Sequence, residues 1–313
     1  MGTHPEGPAQ FTDGGSLAEQ SGELPYLLKL LAAAQPLSLQ THPNAQQATA
    51  GFNRERREGV GANDPKRLYR DAHAKPELLC ALSPFDALCG FRPIAASVSL
   101  LRELGLTTLA DTVDGEGLRA AVTALYRGRL DHRAVVDACR PQHSPAADLV
   151  TRLALQYPDD PSVVVSLLLN RVQLARGQAL FLRPGNLHAY IGGTGVEVMG
   201  ASDNVIRGGL TNKVVDVDEL LRIVRFEVLD DPVLSPVESG RGHWRYPTPE
   251  APFELWRLEV ADTTAHTAAS RELLLCTEGD SGALQRGQAA YLAPGQTVSF
   301  NGPSTVFVVT EAD

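Results

Sequence analysis

The stretch GQALFLRPG at 177–185 recurs as GQAAYLAPG at 287–295. Each copy has the pattern of a short apolar strand followed by a Pro-Gly turn, in which glycine supplies the positive φ that other residues avoid. From Gly177 onward, short apolar runs alternate with Pro-Gly, Gly-Gly and Asn-Gly pairs, which is typical of an all-β region. The repeat therefore predicts two related β-barrel halves of jelly-roll type, with chance or a common hairpin type as the alternative.

Upstream of the repeat, between residues 94 and 175, the pattern changes to helices. Apolar residues recur with a helical period at Ile94, Val98 and Leu101, and again at Leu118 and Val122. Further helices are predicted at 135–139, 149–155 and 163–174, although three consecutive valines, which are poor helix formers, stand at the start of the last one. We interpret this block as a helical insertion that serves packing.

The segment before the insertion, from residue 24 to 91, mixes one element rich in leucine and alanine with short strands. The run PYLLKLLAAA at 25–34 begins with proline and predicts a helix. A buried strand is the alternative, because periodicity cannot separate the two in a run that is nearly all apolar.

The composition limits the class of protein. The chain has 313 residues, 43% of them hydrophobic, with a net charge of −9, which argues against nucleic acid or an anionic membrane as the main partner. It contains neither an apolar run long enough to span a membrane nor a signal peptide. Its four cysteines form no Cys-x-x-Cys pair, which favours reduced thiols and a cytoplasmic protein.

Two short runs carry candidate metal ligands. In SLQTH at 38–42, Gln40 and His42 are two residues apart and share one face of a strand, so both could bind one metal ion. A polar strand end is the simpler interpretation. In HAKPEL at 73–78, Pro76 fits the start of a strand and puts Glu77 at a barrel mouth, or else Glu77 is a surface acid at the end of a loop.

A third run, from 184 to 213, is the longest. His188 and Tyr190 share a strand face, and Glu197 points opposite to its apolar neighbours, into a cavity or to solvent. Arg207 precedes two glycines that allow close approach of the backbone. When the two copies of the repeat are aligned, His188 falls opposite Val298, so only the first barrel is expected to carry a metal-site histidine.

These runs resemble the signature sequences of the type I phosphomannose isomerases. The resemblance rests on PLSLQTHPN at 36–44, HAKPEL at 73–78, CGFRP at 89–93 and the residues from 187 to 213, and it spans nearly the whole chain. The family is similar in fold to the cupins. The resemblance implies a mainly β chain with a zinc-bearing jelly roll (1–91 and 176–230), a helical insertion (92–175) and a metal-free, cupin-like C-terminal domain (231–313).

The resemblance also implies roles for single residues. One Zn²⁺ per chain would be held by Gln40, His42, Glu77 and His188. The catalytic residues would be Arg207, Lys75 and Glu197. The substrate would further be bound by Ser38, Tyr190, Asp203 and Lys213.

The sequence departs from the family's pattern at two places. Asn212 stands where the family usually has proline, a loop change that we expect to be tolerated. The opening MGTHP resembles an internal segment of the family, so we expect the family's first few tens of residues to be missing. Loss of opening strands would expose sheet edges, and a relative that binds a sugar phosphate without turnover is therefore the alternative function.

The implied reaction is the interconversion of mannose 6-phosphate and fructose 6-phosphate through an enediol. Glu197 and Lys75 are the candidates for proton transfer, and Arg207 and Lys213 could bind phosphate or offset negative charge on the intermediate. An iron oxygenase with two histidines and one carboxylate is a rival, but Gln40, Lys75 and Arg207 favour a phosphosugar. We expect a monomeric, cytoplasmic enzyme that serves carbohydrate metabolism and the supply of GDP-mannose.

Overall fold

One large sheet lies at the centre of the computed structural model, which describes residues 1–62, 64 and 66–312. It contains nine strands. They are β1 (Tyr26–Ala33), β2 (Leu39–Thr41), β3 (Glu77–Ala81), β4 (Phe85–Phe91), β5 (Leu169–Leu174), β6 (Ala179–Leu182), β7 (His188–Gly200), β8 (Ile206–Gly209) and β9 (Val233–Leu234).

Strand β7 joins the two halves of this sheet. Its first residues, from His188, pair with β2 and β4, whereas its later residues, Gly193 to Gly200, pair with β1 and β3. Gly193 has a φ of 126°, and a Cβ there would lie 2.6 Å from Cδ2 of Phe85, so the strand bends at a position that requires glycine. Apolar side chains of both halves meet inside the bend, which makes the sheet barrel-like.

The helices lie mainly between β4 and β5. They are α1 (Leu17–Ser21), α2 (Ala45–Arg57), α3 (Ile94–Glu103), α4 (Thr107–Tyr126), α5 (His132–Cys139), α6 (Pro145–Gln156), α7 (Ser162–Val165) and α8 (Val217–Ile223). Helix α6 starts where a capping serine, Ser144, precedes proline at the first helical position. Among the described helices, none is both long and apolar enough to cross a lipid bilayer.

The last part of the chain forms a second β region. Its strands are β10 (Val237–Glu238), β11 (His243–Tyr246), β12 (Phe253–Val260), β13 (Thr264–Thr267), β14 (Glu272–Gly279), β15 (Ala289–Leu292), β16 (Thr297–Phe300) and β17 (Ser304–Glu311). Six of them form one antiparallel sheet, and β13 pairs with β16 in a second.

The repeated nonapeptide has the same local structure in both regions. Strands β6 and β15 each follow a glycine of positive φ, Gly177 or Gly287, and each ends before another, Gly185 or Gly295. In both copies the glutamine after the first glycine accepts a hydrogen bond from the backbone N–H three residues before it, at 2.9 Å. Strand β6 pairs with β3 and β15 pairs with β14. The predicted fold class, mainly β with a helical insertion and two related barrel-like regions, is confirmed.

The barrel-like sheet lies between the helices and the C-terminal sheet. One half turns its outer face, including Leu39, Ala189 and Ile206, to the helices. The other half packs Leu28 and Val198 against the C-terminal sheet. The inner faces of both halves therefore remain to line a site, and they are the faces that carry the polar residues of interest.

The segment 25–34 is a strand, so the preferred prediction of a helix was wrong. Residues Tyr26–Ala33 pair with β7 along their whole length. Tyr26 and Leu28 are completely buried against the C-terminal sheet, whereas Lys29 lies on the other face. Residues 26–28 are buried on both faces of the strand, and the exposed Leu30 continues the apolar run, so the strand has no alternation for a sequence pattern to detect.

The predicted long helix at 163–174 was also wrong. The chain makes one short helix, α7, and a single 3₁₀ turn at Ser166–Leu168, and then enters the sheet as β5 beside β4. All residues from Ser162 to Leu169 are buried, so again no periodic face was visible. The other predicted helices of the insertion are present. The exact division into domains at 91/92, 175/176 and 230/231 stays a prediction.

Candidate active site and metal centre

Three buried side chains from different parts of the chain meet inside the barrel-like sheet. His42 follows β2, and Glu77 and His188 are the first residues of β3 and β7. Nε2 of His42 lies 3.2 Å from Oε1 of Glu77, and Nε2 of His188 lies 3.3 Å from Oε2. The three side chains are each at most 2% exposed. Their nitrogen and oxygen atoms could bind one metal ion.

Both imidazoles are oriented as metal ligands. Nδ1 of His42 lies 2.7 Å from the carbonyl oxygen of Asn204, and Nδ1 of His188 lies 3.0 Å from that of Asn186. A carbonyl oxygen only accepts, so each Nδ1 carries the proton and each Nε2 presents a lone pair. Within the described part of the chain, both Nε2 atoms and Oε2 of Glu77 are buried without a hydrogen-bond partner. Two imidazoles and one carboxylate with free electron pairs fit Zn²⁺.

The fourth predicted ligand, Gln40, lies beside this group. In the sheet, Gln40 is directly opposite His188 on one side and opposite Arg207 on the other. Residues opposite one another across strands share a face, so all three side chains point into the same space. Oε1 of Gln40 accepts a hydrogen bond of 3.1 Å from the hydroxyl of Ser38. The role of Gln40 as a ligand stays a prediction.

The charges of the centre support a neutral imidazole and an ionised carboxylate. Burial lowers the pKa of His42, although the neighbouring Glu77 acts in the opposite direction. Burial alone would raise the pKa of Glu77, but the neighbouring imidazole of His42 and the ammonium group of Lys75 outweigh burial and hold that pKa well below its usual range. Nζ of Lys75, itself buried, lies 3.1 Å from Oε1 of Glu77. The carboxylate therefore remains an anion.

Glu197 lies on the inner face of β7 and is only 5% exposed. The sequence predicted that it points away from its apolar neighbours, and the structure places it in the interior and not in solvent. Burial, reinforced by the negative charge of Glu77, raises the pKa of Glu197 to about 7. The hydroxyl of Tyr190 is buried nearby, and it has no hydrogen-bond partner among the residues that the structure describes. Burial, then the charges of Glu197 and Glu77, raise the pKa of Tyr190 well above its usual value.

Lys29 belongs to this site, and sequence reasoning missed it. Nζ of Lys29 lies 3.9 Å from Oε2 of Glu197, and the two residues are opposite each other in the pairing of β1 with β7. The sequence signal for it was a single charged residue, Lys29, inside the apolar run at 25–34. That signal was overlooked because the run was interpreted as a helix, in which an isolated lysine is ordinary.

Three further predicted residues are less buried than the metal group. Asp203 is exposed, and its carboxylate lies 3.3 Å from Nε2 of His4. Lys213 is exposed on the loop after β8. Arg207 is half-buried, its pKa is lowered by burial, and it makes no ion pair with any carboxylate that the structure describes.

The chain is similar in sequence to known proteins. Residues 10–94 match the family model "Phosphomannose isomerase type I, catalytic domain". Mannose-6-phosphate isomerase of Escherichia coli K12 is 35% identical over 297 residues, which is 91% of this chain and 76% of that protein. The enzyme of the same name from Salmonella typhimurium is 35% identical over 91% of this chain and 76% of its own length.

Solved structures of similar proteins agree with these matches. A phosphomannose isomerase variant from Salmonella typhimurium superposes with a TM-score of 0.90 at 32% identity, covering 100% of this chain and 90% of that one. The mannose 6-phosphate isomerase from the same organism, "bound to substrate (f6p)" and zinc, has a TM-score of 0.86 at 31% identity with the same coverage. The chain therefore belongs to the mannose-6-phosphate isomerases, the type I phosphomannose isomerase family.

Proposed function

We propose that this chain is a zinc-dependent isomerase that interconverts mannose 6-phosphate and fructose 6-phosphate. The observation that carries the proposal is the buried group of His42, Glu77 and His188, whose facing atoms have no hydrogen-bond partner within the described residues. Burying polar atoms without hydrogen-bond partners costs folding free energy, unless a bound cation interacts with them. Gln40 is the proposed fourth ligand. The alternative, a relative that binds without turnover, is not favoured.

Zinc bound here would act as a Lewis acid that stabilises negative charge on the oxygens of the substrate. The proton must move between C2 of the ring-opened aldose and C1 of the ketose. A carboxylate would take the proton from C2, which leaves an enediolate. Once a proton has moved from the hydroxyl at O2 to O1, the carboxylic acid would return its proton to C1, and C2 becomes the ketone.

Glu197 is the proposed proton carrier. A group with a pKa near the operating pH can both accept and return a proton, and the pKa of Glu197 is about 7. Lys75 is the less suitable candidate as base, because its ammonium group is engaged with Oε1 of Glu77 at 3.1 Å. We assign to Lys75 the role of a donor that keeps the charge of Glu77 balanced.

The phosphate of the substrate is the proposed partner of Arg207 and Lys213. A half-buried guanidinium without a carboxylate partner among the described residues is suited to an anion. Lys213, which is exposed, would add a second positive charge. Local cations of this kind let a chain with a net charge of −9 accept an anionic substrate. Ser38, Tyr190 and Asp203 are proposed to contact the sugar.

We further propose a monomer in the cytoplasm. The support for the compartment is that all four cysteines are free and buried, which fits a reducing environment. No nucleic acid or membrane partner is proposed.

The proposed function predicts a metal-dependent isomerase activity. We expect the purified chain to convert mannose 6-phosphate to fructose 6-phosphate in a coupled assay and to contain about one zinc per chain by elemental analysis. A chelator should abolish turnover, because it removes the Lewis acid that would stabilise negative charge on the substrate oxygens, and added Zn²⁺ should restore it. Bound zinc without turnover would contradict the proposal and favour the binding-only alternative.

The ionisation of Glu197 predicts the pH dependence. The base must be ionised, so kcat/KM should fall as the pH drops through the pKa of Glu197. That pKa is about 7 without the metal, and the positive charge of the metal should lower it. Removing the ammonium group of Lys29 should move the acidic limb to higher pH, since that charge stabilises the carboxylate. Profiles of Lys29→Met and wild type would test this. Lys66→Met, at an exposed position, is the matched control, and an identical limb in both variants would refute the assignment.

A further inference from the structure

The backbone directly after Arg207 has an unusual conformation. Gly209 has a φ of 146°, and Leu210 has a φ of 50°, in the left-handed region that residues with a side chain disfavour. Such a conformation persists only where its surroundings hold it. Since Arg207 and Gly209 belong to the same four-residue strand, β8, the groups that hold this turn also set the position of Arg207.

Side chains of the helical insertion hold the turn. Oδ2 of Asp160 accepts a hydrogen bond of 2.6 Å from the backbone N–H of Leu210. Oδ1 of the same carboxylate accepts a hydrogen bond of 2.8 Å from the backbone N–H of Ser162. The hydroxyl oxygen of Ser162 accepts another, of 3.1 Å, from the N–H of Leu210. The hydroxyl of Tyr126, in α4, donates to the carbonyl oxygen of Gly208.

The contact is also tight. A Cβ on Gly209 would lie 2.1 Å from Oγ of Ser162 and 2.7 Å from Oδ1 of Asp160. The backbone of the turn therefore packs directly on this pair, and the position requires glycine for space as well as for its φ.

Arg207 has little else to orient it. Its guanidinium makes no ion pair with a carboxylate in the described part of the chain, and β8 pairs only with the short strand β2 among the described strands. In the pairing of β8 with β2, Arg207 lies opposite Gln40, and this register sets the face of the sheet to which the Arg207 side chain points. How far that side chain extends into the site then depends on the position at which β8 ends.

We propose that Asp160 is a positioning residue for catalysis, which places Arg207 by holding the turn at Gly209 and Leu210. The inference rests on the proposed function, because it assumes that Arg207 acts on the substrate. It gives the helical insertion a part in catalysis, in addition to packing.

A double-mutant cycle tests the proposal. We expect Asp160→Ala to lower kcat/KM about 10²-fold, the effect of misplacing an active-site group by about 1 Å. If Asp160 acts through Arg207, the same substitution made in Arg207→Met should have little further effect, since there is no guanidinium left to misplace. The zinc content should remain that of the wild type in all variants. Additive losses in the double variant would overturn the proposal.

Two further variants keep the test informative. Asp159→Asn, at the exposed neighbouring carboxylate that pairs with Arg133, is the matched control and should retain full activity. Asp160→Asn keeps one acceptor oxygen and should recover part of the lost rate; if Asp160→Ala does not fold, this variant is used in the cycle. Failure of the proposed function is distinguishable, because the wild type would then show no isomerase activity. An active wild type with an equally active Arg207→Met variant would overturn the role of Arg207 and with it the present proposal.

Discussion

We expect Glu77→Gln to lose both zinc and isomerase activity. Glu77 is the one anion in the group with His42 and His188, and its carboxylate is buried between them. A metal ion supplies several kcal/mol of charge stabilisation, which corresponds to a loss in kcat/KM of roughly 10³-fold. Elemental analysis should find almost no zinc in this variant.

The same substitution should also lower the stability of the protein. It leaves the buried ammonium of Lys75 without its carboxylate, and an uncompensated buried charge costs about 3–5 kcal/mol. Denaturant unfolding would measure this loss. The matched control is Glu272→Gln, which removes a buried carboxylate bound to His266 in the C-terminal sheet. That variant should be destabilised but keep its zinc, whereas a zinc-loaded, active Glu77→Gln would exclude the proposed site.

We expect Glu197→Gln to lower kcat by about 10²- to 10⁴-fold, the contribution of general acid–base catalysis, while the zinc content stays unchanged. Glutamine has the same shape but cannot accept the C2 proton. Among the described residues, Glu197 forms its ion pair with Lys29, at 3.9 Å, whereas His42 and His188 pair with Glu77. KM should change little, because the loss concerns the chemical step.

Hydrogen exchange separates proton transfer from other roles of Glu197. In D₂O, the wild type should incorporate deuterium at C2 of mannose 6-phosphate, and Glu197→Gln should lose exchange and turnover together. Lys75→Met addresses the other candidate. If exchange is lost in that variant with zinc still bound, and persists in Glu197→Gln, then Lys75 and not Glu197 carries the proton.

The metal centre was largely predictable from the sequence. The i, i+2 spacing of Gln40 and His42, the proline before Glu77 and the strand pattern around His188 are local features, and strand geometry converts them into side-chain directions. The resemblance to a family then connected three runs that are far apart in the chain. What it could not supply were the backbone carbonyls of Asn186 and Asn204 that orient the imidazoles, because a carbonyl has no sequence signature.

Two elements were predicted wrongly for one physical reason. Residues 26–33 and 169–174 are strands that appeared to be helices, since buried and exposed residues do not alternate regularly along either of them, and so neither shows the pattern that distinguishes a strand. Which residues are covered is a property of the assembled fold. This error also affected the prediction of the site. Because Lys29 was assigned to a helix, its pairing with Glu197 was not recognised.

The sequence by itself predicted the fold class, through the repeat at 177–185 and 287–295, and, through short runs that resemble a known family, the three residues His42, Glu77 and His188 that meet in the structure. The tertiary structure decided which groups act on one another across long distances in the chain. Lys29 and Glu197 meet by strand register, and Asp160 meets the turn after Arg207 by packing of the insertion on the sheet. The spacing of residues in the sequence specifies the directions of side chains within one helix or strand. Contacts between elements depend on how their buried faces pack, which no local sequence pattern encodes.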